Sequence, residues 1–292
     1  YYVVVDANSP TELGTFTLII TEDPLNTFSV IDSISSYNGQ DISCNGDSDG
    51  KFYAHVNGGT PPYTFIWSNG LTNITNNYND SITGLSAGTY SVTVIDSKGC
   101  TLTPLSVTLI DPSPITITTN PTPASCFGYA DGTITVTNTT GGTPSYISYT
   151  WDPNTMQTGT NATSLLAGVY TVTVTDDNGC IATAQDIVTE PSAPTMSITS
   201  TNPLISSNPL TYEVCDGNNI TLTASGLASY SWSPNIWLNT ILGPTVIALP
   251  SGNMQYICTG TDLVGCTTDV IIDVNVVSSV VMYVNPPLSQ VC

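Results

Sequence analysis

A 16-residue stretch that occurs twice constrains the fold of this chain more than any other feature. Its first copy, residues 85–100, reads LSAGTYSVTVIDSKGC, and its second, residues 165–180, reads LLAGVYTVTVTDDNGC. In both copies Tyr and Val alternate with Ser and Thr after an Ala-Gly turn, which is typical of a half-buried antiparallel strand. An Asp-x-x-Gly turn and a cysteine follow. Recurrence after about 80 residues predicts tandem modules rather than one large domain.

Further short sequence motifs, which we call marks, accompany both copies at matching distances along the chain. Cys44 and Cys126 each begin a Cys-x-Gly-x-x-Asp-Gly segment, which leads into an alternating strand, a Gly-Gly-Thr-Pro turn and then Trp67 or Trp151. No window shows the 3.6-residue period and capping residues of a helix. Many short strands between Gly, Pro and Asn turns predict β-sandwiches, and the Trp and Tyr positions favour an immunoglobulin-like arrangement. The predicted fold class is all-β, an elongated series of tandem immunoglobulin-like β-sandwich modules with one disulfide per module.

These marks divide the chain into segments. The first complete module spans residues 25–112, the second 113–192, and a looser third 193–278. Residues 1–24 resemble the C-terminal strands of a preceding module, and residues 279–292 resemble the start of a following one. The sequence is therefore expected to be a segment of a longer protein.

The composition argues against several classes of function. The 292 residues include 22 Asp and Glu, two Lys, no Arg and one His, which gives a net charge of −20. Nucleic acids and anionic lipid head groups repel such a chain, so binding to either is not expected. No apolar run is long enough to span a bilayer, so direct membrane insertion is not expected either. A Ser-His-Asp site would depend on His55 alone. Most carboxylates lie in turns rather than in pairs that could flank a glycosidic bond, so we expect no enzyme activity and no cofactor.

The eight cysteines include no Cys-x-x-Cys pair, and their spacing favours loop-closing disulfides over zinc. Disulfides indicate an oxidising, extracellular setting. The repeat predicts one bond in each module: Cys44–Cys100, Cys126–Cys180 and Cys215–Cys266. Cys215–Cys258 is an alternative in the third module, and Cys258 could also be a buried thiol. Cys292 is expected to pair outside this sequence.

Two sets of carboxylates are candidate calcium ligands. Asp47 and Asp49 lie in a segment that resembles the start of an EF-hand loop, although Val56 replaces the acidic residue that ends such a loop. At the module joints Asp111 and Glu190 precede prolines and could hold a cation between neighbouring modules. Solvated turns and strand ends are the favoured interpretation of the same residues.

Surface residues supply the remaining candidates. Some aromatic side chains are not placed in a core by the alternating pattern, and these could stack on sugars or contact a partner: Tyr53, Tyr78, Tyr129 and Trp237. Scattered surface aromatics are the alternative interpretation. Asn-x-Ser/Thr sequences, which are candidate glycosylation sites, occur at Asn73, Asn79, Asn138, Asn161 and Asn219.

Taken together, the marks of the first two modules resemble the SprB repeat, a family named for the large mobile surface adhesin of gliding bacteria. The third module is similar to immunoglobulin-like modules found beside such repeats, whereas residues 1–24 lack the Gly-Cys mark. The resemblance implies a very large, repetitive, non-enzymatic protein at the bacterial cell surface, exported by type IX secretion. Asp32-Ser-Ile34 and Asp80-Ser-Ile82 resemble the O-glycosylation signal of that bacterial group, so Ser33 and Ser81 are further candidates.

Three functions follow as hypotheses. The first is a structural and adhesive segment of a very large extracellular surface filament, in contact with neighbouring modules, neighbouring filaments or surface glycans. The second is a subunit of an extracellular fibre whose separate chains join end to end by strand complementation. The third is a set of carbohydrate-binding accessory modules of a secreted enzyme.

Overall fold

The computed structural model describes residues 28–152 and 157–278, which form 21 β-strands and no helix. The all-β prediction is thereby confirmed. Within this part of the chain no helix is available that could cross a membrane. The sequence predictions for residues 1–24, for residues 279–292 and for Cys292 lie outside the described residues. Residues 28–152 and 157–278 form three separate hydrophobic cores, each enclosed by two sheets.

The first sandwich contains seven strands, all paired antiparallel: β1 Ser29–Ile34, β2 Gly50–Asn57, β3 Tyr63–Trp67, β4 Thr72–Thr75, β5 Asn79–Leu85, β6 Gly88–Ile95 and β7 Leu105–Leu109. One sheet has the order β1-β2-β5 and the other β4-β3-β6-β7. Alternate residues of β2 and β3 fill the core, as the period of two predicts: Phe52, Ala54, Val56, Tyr63, Phe65 and Trp67.

The second sandwich contains six described strands: β8 Thr116–Thr122, β9 Gly132–Thr140, β10 Tyr146–Trp151, β11 Asn161–Leu165, β12 Gly168–Asp176 and β13 Ile181–Val188. Its sheets have the orders β11-β9-β8 and β10-β12-β13. The core again comes from alternating positions, among them Ile134, Trp151, Val172 and Val174.

The third sandwich contains eight strands: β14 Ser197–Ser200, β15 Leu204–Ser207, β16 Leu210–Cys215, β17 Ile220–Ser225, β18 Ser229–Ser233, β19 Thr245–Ala248, β20 Met254–Thr261 and β21 Thr267–Val277. Its sheets have the orders β14-β17-β19 and β15-β16-β21-β20-β18, and β16 pairs with β21 in parallel. This core includes Trp232, Tyr256 and Cys258.

Local hydrogen bonds support the immunoglobulin-like description. The hydroxyl of Tyr90 donates to the carbonyl of Ser86 at 3.0 Å, and that of Tyr170 donates to the carbonyl of Leu166 at 3.0 Å. A tyrosine that turns back to the backbone a few residues upstream is the tyrosine corner of immunoglobulin-like sandwiches. The repeated Ala-Gly-x-Tyr sequence therefore folds alike in both modules.

The strand directions decide which loops lie together at each end of the first sandwich. Gly50, the first residue of β2, pairs with Leu85, the last residue of β5, and Gly88, the first residue of β6, follows only three residues after Leu85. Strands β2 and β6 therefore start at the same end, which we call the opening end, and run in the same direction. We call the other end, where β6 finishes, the closing end.

The chain divides into two compact units. The first comprises residues 1–114 together with two turns, Gly141–Pro144 and Asp177–Cys180; the second comprises residues 115–140, 145–176 and 181–292. The first unit thus includes the first sandwich, and the second unit contains the cores of the second and third sandwiches. The module limits given above stay predictions.

Candidate functional site: opening loops, closing turns and disulfides

Each Cys-x-Gly-x-x-Asp-Gly segment forms a loop closed by its own aspartate. We call residues 44–50 and 126–132 the opening loops. In the first, the backbone N–H of Ser43 donates to Asp49 Oδ1 at 3.1 Å, and in the second the N–H of Ser125 donates to Asp131 Oδ1 at 2.9 Å. Burial opposes ionisation of Asp49, but the hydrogen bonds from Ser43, Tyr37 and the backbone of Asp49 together outweigh it and hold its pKa below the usual value. The hydroxyl and N–H of Ser125 lower the pKa of Asp131 in the same way.

The acidic residues at the module joints bind these same loops. Asp111 Oδ2 accepts the N–H of Gly46 at 3.3 Å, and Glu190 Oε2 accepts the N–H of Gly128 at 2.6 Å. The carboxylates proposed as cation ligands thus have backbone partners in their own sandwich. The other oxygen of Asp111 is buried and has no hydrogen-bond partner among the described residues.

No calcium site is assembled from these carboxylates. Asp47 accepts a hydrogen bond from the hydroxyl of Ser43 at 3.3 Å, so it also serves the opening loop. Over residues 28–152 and 157–278, no group of three or more His, Cys, Asp or Glu side chains is arranged to hold a metal ion. The carboxylates that the sequence predicted as ligands act here as hydrogen-bond acceptors.

A glycine is required where each opening loop enters its strand. A Cβ atom on Gly50 would lie 2.7 Å from the side chain of Leu109 and 2.8 Å from the carbonyl oxygen of Leu85. A Cβ on Gly132 would collide with Val188 in the same manner. In each Asp-Gly pair, the aspartate closes the loop, and the glycine allows the last strand of the same sandwich, β7 or β13, to approach closely.

The Asp-x-x-Gly-Cys segments form a second recurrent structure, which we call the closing turn. Asp96 Oδ1 accepts the N–H groups of Lys98 at 3.0 Å and Cys100 at 2.8 Å, while Oδ2 accepts that of Thr60 at 3.1 Å. Asp262 Oδ1 accepts the N–H of Cys266 at 2.9 Å. Burial of Asp96 raises its pKa, but the backbone donors outweigh burial and leave the pKa lowered. The N–H of Cys266 is the main cause of the lowered pKa of Asp262.

The disulfides connect opening loops to closing turns of the next module along the sequence. Cys44 is bonded to Cys180, 136 residues later, and Cys126 to Cys266, 140 residues later. Both bonds join Cα atoms 5.5 Å apart. The first bond lies within the first compact unit and the second within the second. In sequence the two bonds interleave, because Cys126 precedes Cys180.

The predicted pairing within modules is therefore wrong for all three bonds, Cys44–Cys100, Cys126–Cys180 and Cys215–Cys266. The physical reason is the direction of β6. Its eight residues run from the opening end to the closing end, so Cys44 and Cys100 lie at opposite ends, roughly 25 Å apart at about 3.3 Å per residue. A disulfide requires Cα atoms within about 7 Å.

The remaining cysteines fall into two groups. Cys258 is a fully buried free thiol, so the alternative bond Cys215–Cys258 is wrong and the buried-thiol interpretation is confirmed. Burial, with a smaller contribution from Asp269, raises the pKa of Cys258 to about 11. Cys215 is itself disulfide-bonded. Cys100 is a free thiol and is exposed.

Sequence reasoning missed a polar cluster around the Cys44–Cys180 bond, within the first compact unit. The side-chain N–H groups of Asn178 donate to the carbonyls of Tyr37 at 3.0 Å and Ser43 at 3.2 Å, and to the hydroxyl of Thr143 at 2.8 Å. The amide of Asn38 donates to Asn178 Oδ1 at 2.8 Å. Asn178 is an ordinary turn residue in sequence, and only its contacts reveal that it fixes the closing turn against the opening loop.

The candidate binding aromatics are all exposed. Their exposed fractions are 39% for Tyr53, 50% for Tyr78, 49% for Tyr129 and 40% for Trp237. Tyr53 lies on the outer face of the β1-β2-β5 sheet, where it lines a groove of about 720 Å³ with His55, Ser33 and Ser81. The candidate glycosylation residues are likewise exposed: Ser33, Ser81, Asn73, Asn79, Asn138, Asn161 and Asn219. Binding and modification at these residues stay predictions.

Immunoglobulin and adhesin chains are among the solved structures that match this chain. The N-terminal eight immunoglobulin domains of Down Syndrome Cell Adhesion Molecule match 83% of this chain at 13% identity and a TM-score of 0.38, and the chain covers 36% of that structure. A structure concerned with host cell surface retention of a 1.5-MDa bacterial ice-binding adhesin matches 86% of the chain, with 99% of its own length covered, at 15% identity and a TM-score of 0.36. A Ca²⁺-stabilised adhesin of an Antarctic bacterium that binds ice matches 85%, with 74% of its own length covered, at 14% identity and a TM-score of 0.40.

Sequence comparison is more specific. Among curated protein sequences none matches this chain. The family model of the SprB repeat matches at two places, residues 36–72 and residues 118–156. These ranges include the opening loop, the strand after it and the Gly-Gly-Thr-Pro turn of the first and second sandwiches. As the resemblance predicted, segments of the first two sandwiches match the SprB repeat.

Proposed function

We propose that this chain is a non-enzymatic structural and adhesive segment of a very large extracellular filament on a bacterial surface. One observation supports the proposal above all others: Cys44–Cys180 and Cys126–Cys266 each join the opening loop of one module to the closing turn of the next. Successive modules are therefore connected twice, once by the backbone and once by a disulfide. Double covalent connection suits a filament that transmits force along its length.

The chemistry of the carboxylates supports a role without catalysis. Asp49, Asp96, Asp131 and Asp262 all have lowered pKa values, because backbone or hydroxyl donors stabilise their ionised forms. General acid catalysis needs a carboxyl whose pKa is raised toward the working pH. These side chains instead fix loops and turns, so their role in the proposal is structural.

The outer face of the β1-β2-β5 sheet is the adhesive surface in this proposal. Tyr53 lies between Ser33 and Ser81 in the strand register, and His55 lies between Ile31 and Asn79. An exposed aromatic ring among hydroxyls and amides suits the stacking and hydrogen bonding of a sugar. The same two serines are the candidates for O-glycosylation, so the groove would hold either a partner's glycan or the protein's own.

Export by the type IX system, a contribution to gliding and a surface location belong to the proposal because SprB repeats are present. The test is immunogold labelling of intact cells with antibodies raised against this chain, with permeabilised cells as the control. We expect gold along surface threads of intact cells. Label that appears only after permeabilisation would contradict the proposed location and function.

A second measurement separates one giant chain from a fibre of joined chains. Threads sheared from cells are diluted, treated with mild denaturant without reductant, and measured by negative-stain microscopy. Threads built from one covalently continuous chain keep their length, whereas strand-complemented subunits separate. A glycan array probed with the chain and with a Tyr53→Ala variant tests the groove, and equal binding by the two would exclude Tyr53 from adhesion.

A further inference from the structure

The structure assigns Cys100 as the attachment point for a further opening loop. The closing end of the first sandwich receives the Cys-x-Gly-x-x-Asp-Gly loop of a preceding sandwich of the same protein, and the two are joined by a disulfide to Cys100. This inference does not depend on the proposed adhesive function, because the bond would exist whatever the filament binds.

The first argument is positional equivalence. Cys100, Cys180 and Cys266 each end an Asp-x-x-Gly-Cys closing turn. Cys180 and Cys266 are both bonded to the cysteine of an opening loop that lies one module earlier in the sequence. Applied to Cys100, the same pairing requires an opening loop one module before the first sandwich.

The second argument is the difference in exposure. Cys180 is 8% exposed and Cys266 is 3% exposed, whereas Cys100 is an exposed free thiol. Thr143, in the Gly-Gly-Thr-Pro turn of the second module, is 1% exposed, and its counterpart Thr60 in the first module is only half-buried. The described closing ends of the first and second sandwiches thus carry equivalent residues, and those of the first are the more exposed.

The third argument is the identity of what covers the equivalent cysteines. The carbonyl oxygen of Ser43 lies 3.1 Å from Cys180 Sγ, and the carbonyl oxygen of Ser125 lies 3.5 Å from Cys266 Sγ. Both serines immediately precede the cysteine of an opening loop. Two different closing turns therefore contact the same kind of loop at the same backbone atom, which commits the partner of the Cys100 turn to that kind of loop.

Charge complementarity supports the same occupant. Lys98 is one of two lysines in a sequence without arginine. It is exposed in the closing turn, two residues before Cys100. Opening loops are acidic, with Asp47 and Asp49 in the first and Asp131 in the second. An acidic loop seated on this turn would place opposite charges close together.

The bond forms by oxidation of two thiols. Each cysteine loses a proton, the S–S bond forms, and two electrons pass to the disulfide of a thiol oxidoreductase, which is reduced to its dithiol. The reaction takes place in the oxidising compartment that the other disulfides of this chain require.

The test is disulfide mapping of the protein isolated from cells. Free thiols are alkylated at once, the protein is digested with pepsin in acid to prevent exchange, and peptides are sequenced without reduction. We expect the Cys100 peptide to be linked to a peptide that contains Cys-x-Gly-x-x-Asp-Gly from a segment preceding the first sandwich. An alkylated Cys100, a bond to a cysteine outside an opening loop, or a bond to Cys44 of a second copy would each overturn the inference.

A pair of variants provides the matched control. In Cys100→Ser protein isolated from cells, the opening-loop cysteine released by the substitution becomes alkylated. In Cys258→Ser protein no additional cysteine becomes alkylated, because Cys258 is a buried thiol without a bond. No additional alkylation in the Cys100→Ser protein would also overturn the inference, and it would leave the surface labelling of the proposed filament unaffected.

Discussion

Interleaved disulfides make a specific mechanical prediction about how far the chain can be stretched. In this experiment the molecule is pulled between attachment points introduced at Ser36 and Leu263, which are both exposed. A Cys215→Ser substitution removes the disulfide of Cys215, so that only the two interleaved bonds remain to be tested. Along the backbone the attachment points are 227 residues apart. With both bonds intact, the shortest covalent path passes through 8 residues up to Cys44, 54 between Cys180 and Cys126, and 3 from Cys266, or 65 in all.

Removing one bond has a small effect, because the other still provides a short path. The Cys44→Ser/Cys180→Ser variant lengthens the path to 93 residues, and Cys126→Ser/Cys266→Ser lengthens it to 91. At about 3.5 Å per residue, these changes add roughly 100 Å and 90 Å. Removing both bonds restores all 227 residues and adds about 570 Å. Removing both bonds therefore adds far more length than the two single removals add together.

Single-molecule force spectroscopy measures this extension directly, with free thiols alkylated before stretching. Bonds within modules, Cys44–Cys100 and Cys126–Cys180, would behave differently. The Cys44→Ser/Cys180→Ser variant would then break both of them and add 110 residues, or about 390 Å, and removing the other two cysteines as well would add nothing more. A first variant that lengthens the chain by that larger amount would refute the interleaved pairing.

Three further predictions concern the loops and turns. Gly50→Ala should destabilise the first sandwich by about 1–3 kcal/mol in chemical denaturation, since the added methyl group has no space. Gly252→Ala is the control and should change the stability little, because a Cβ atom there would meet no atom within 4 Å. Equal effects of the two substitutions would contradict the close packing at Gly50. Asp262 has a lowered pKa, so its stabilising effect is present above the ordinary value of 3.8 and is lost as the pH falls below it. The melting temperature of Asp262→Asn should accordingly lie below wild type at pH 7, and this difference should shrink in acid; a difference independent of pH would contradict the ionised role. Asp111 and Glu190 bind backbone N–H groups, so a chelator should leave the melting temperature unchanged, and a drop restored by Ca²⁺ would show a cation at the joints.

The sequence alone determined the fold class and much of the local structure. Alternation of apolar and polar residues has the period of a strand, so Phe52, Phe65 and Val92 could be placed in the core without knowledge of the fold. The Ala-Gly-x-Tyr turn and the Asp-x-x-Gly-Cys turn depend on contacts between residues close in sequence, which is why both repeats show them in the same form. The SprB resemblance depended on the same local marks.

Only the tertiary structure decided which cysteines meet. The ends at which Cys44 and Cys100 lie depend on how many times the chain reverses between β2 and β6, and this number could not be counted from the sequence. Strand β4 is short and mostly exposed, so it has no alternating pattern to reveal its presence. The position of Asn178 against the opening loop was equally invisible, because its partners Tyr37 and Ser43 lie more than 130 residues away. Pairing between distant segments depends on strand direction and packing, neither of which local sequence patterns encode.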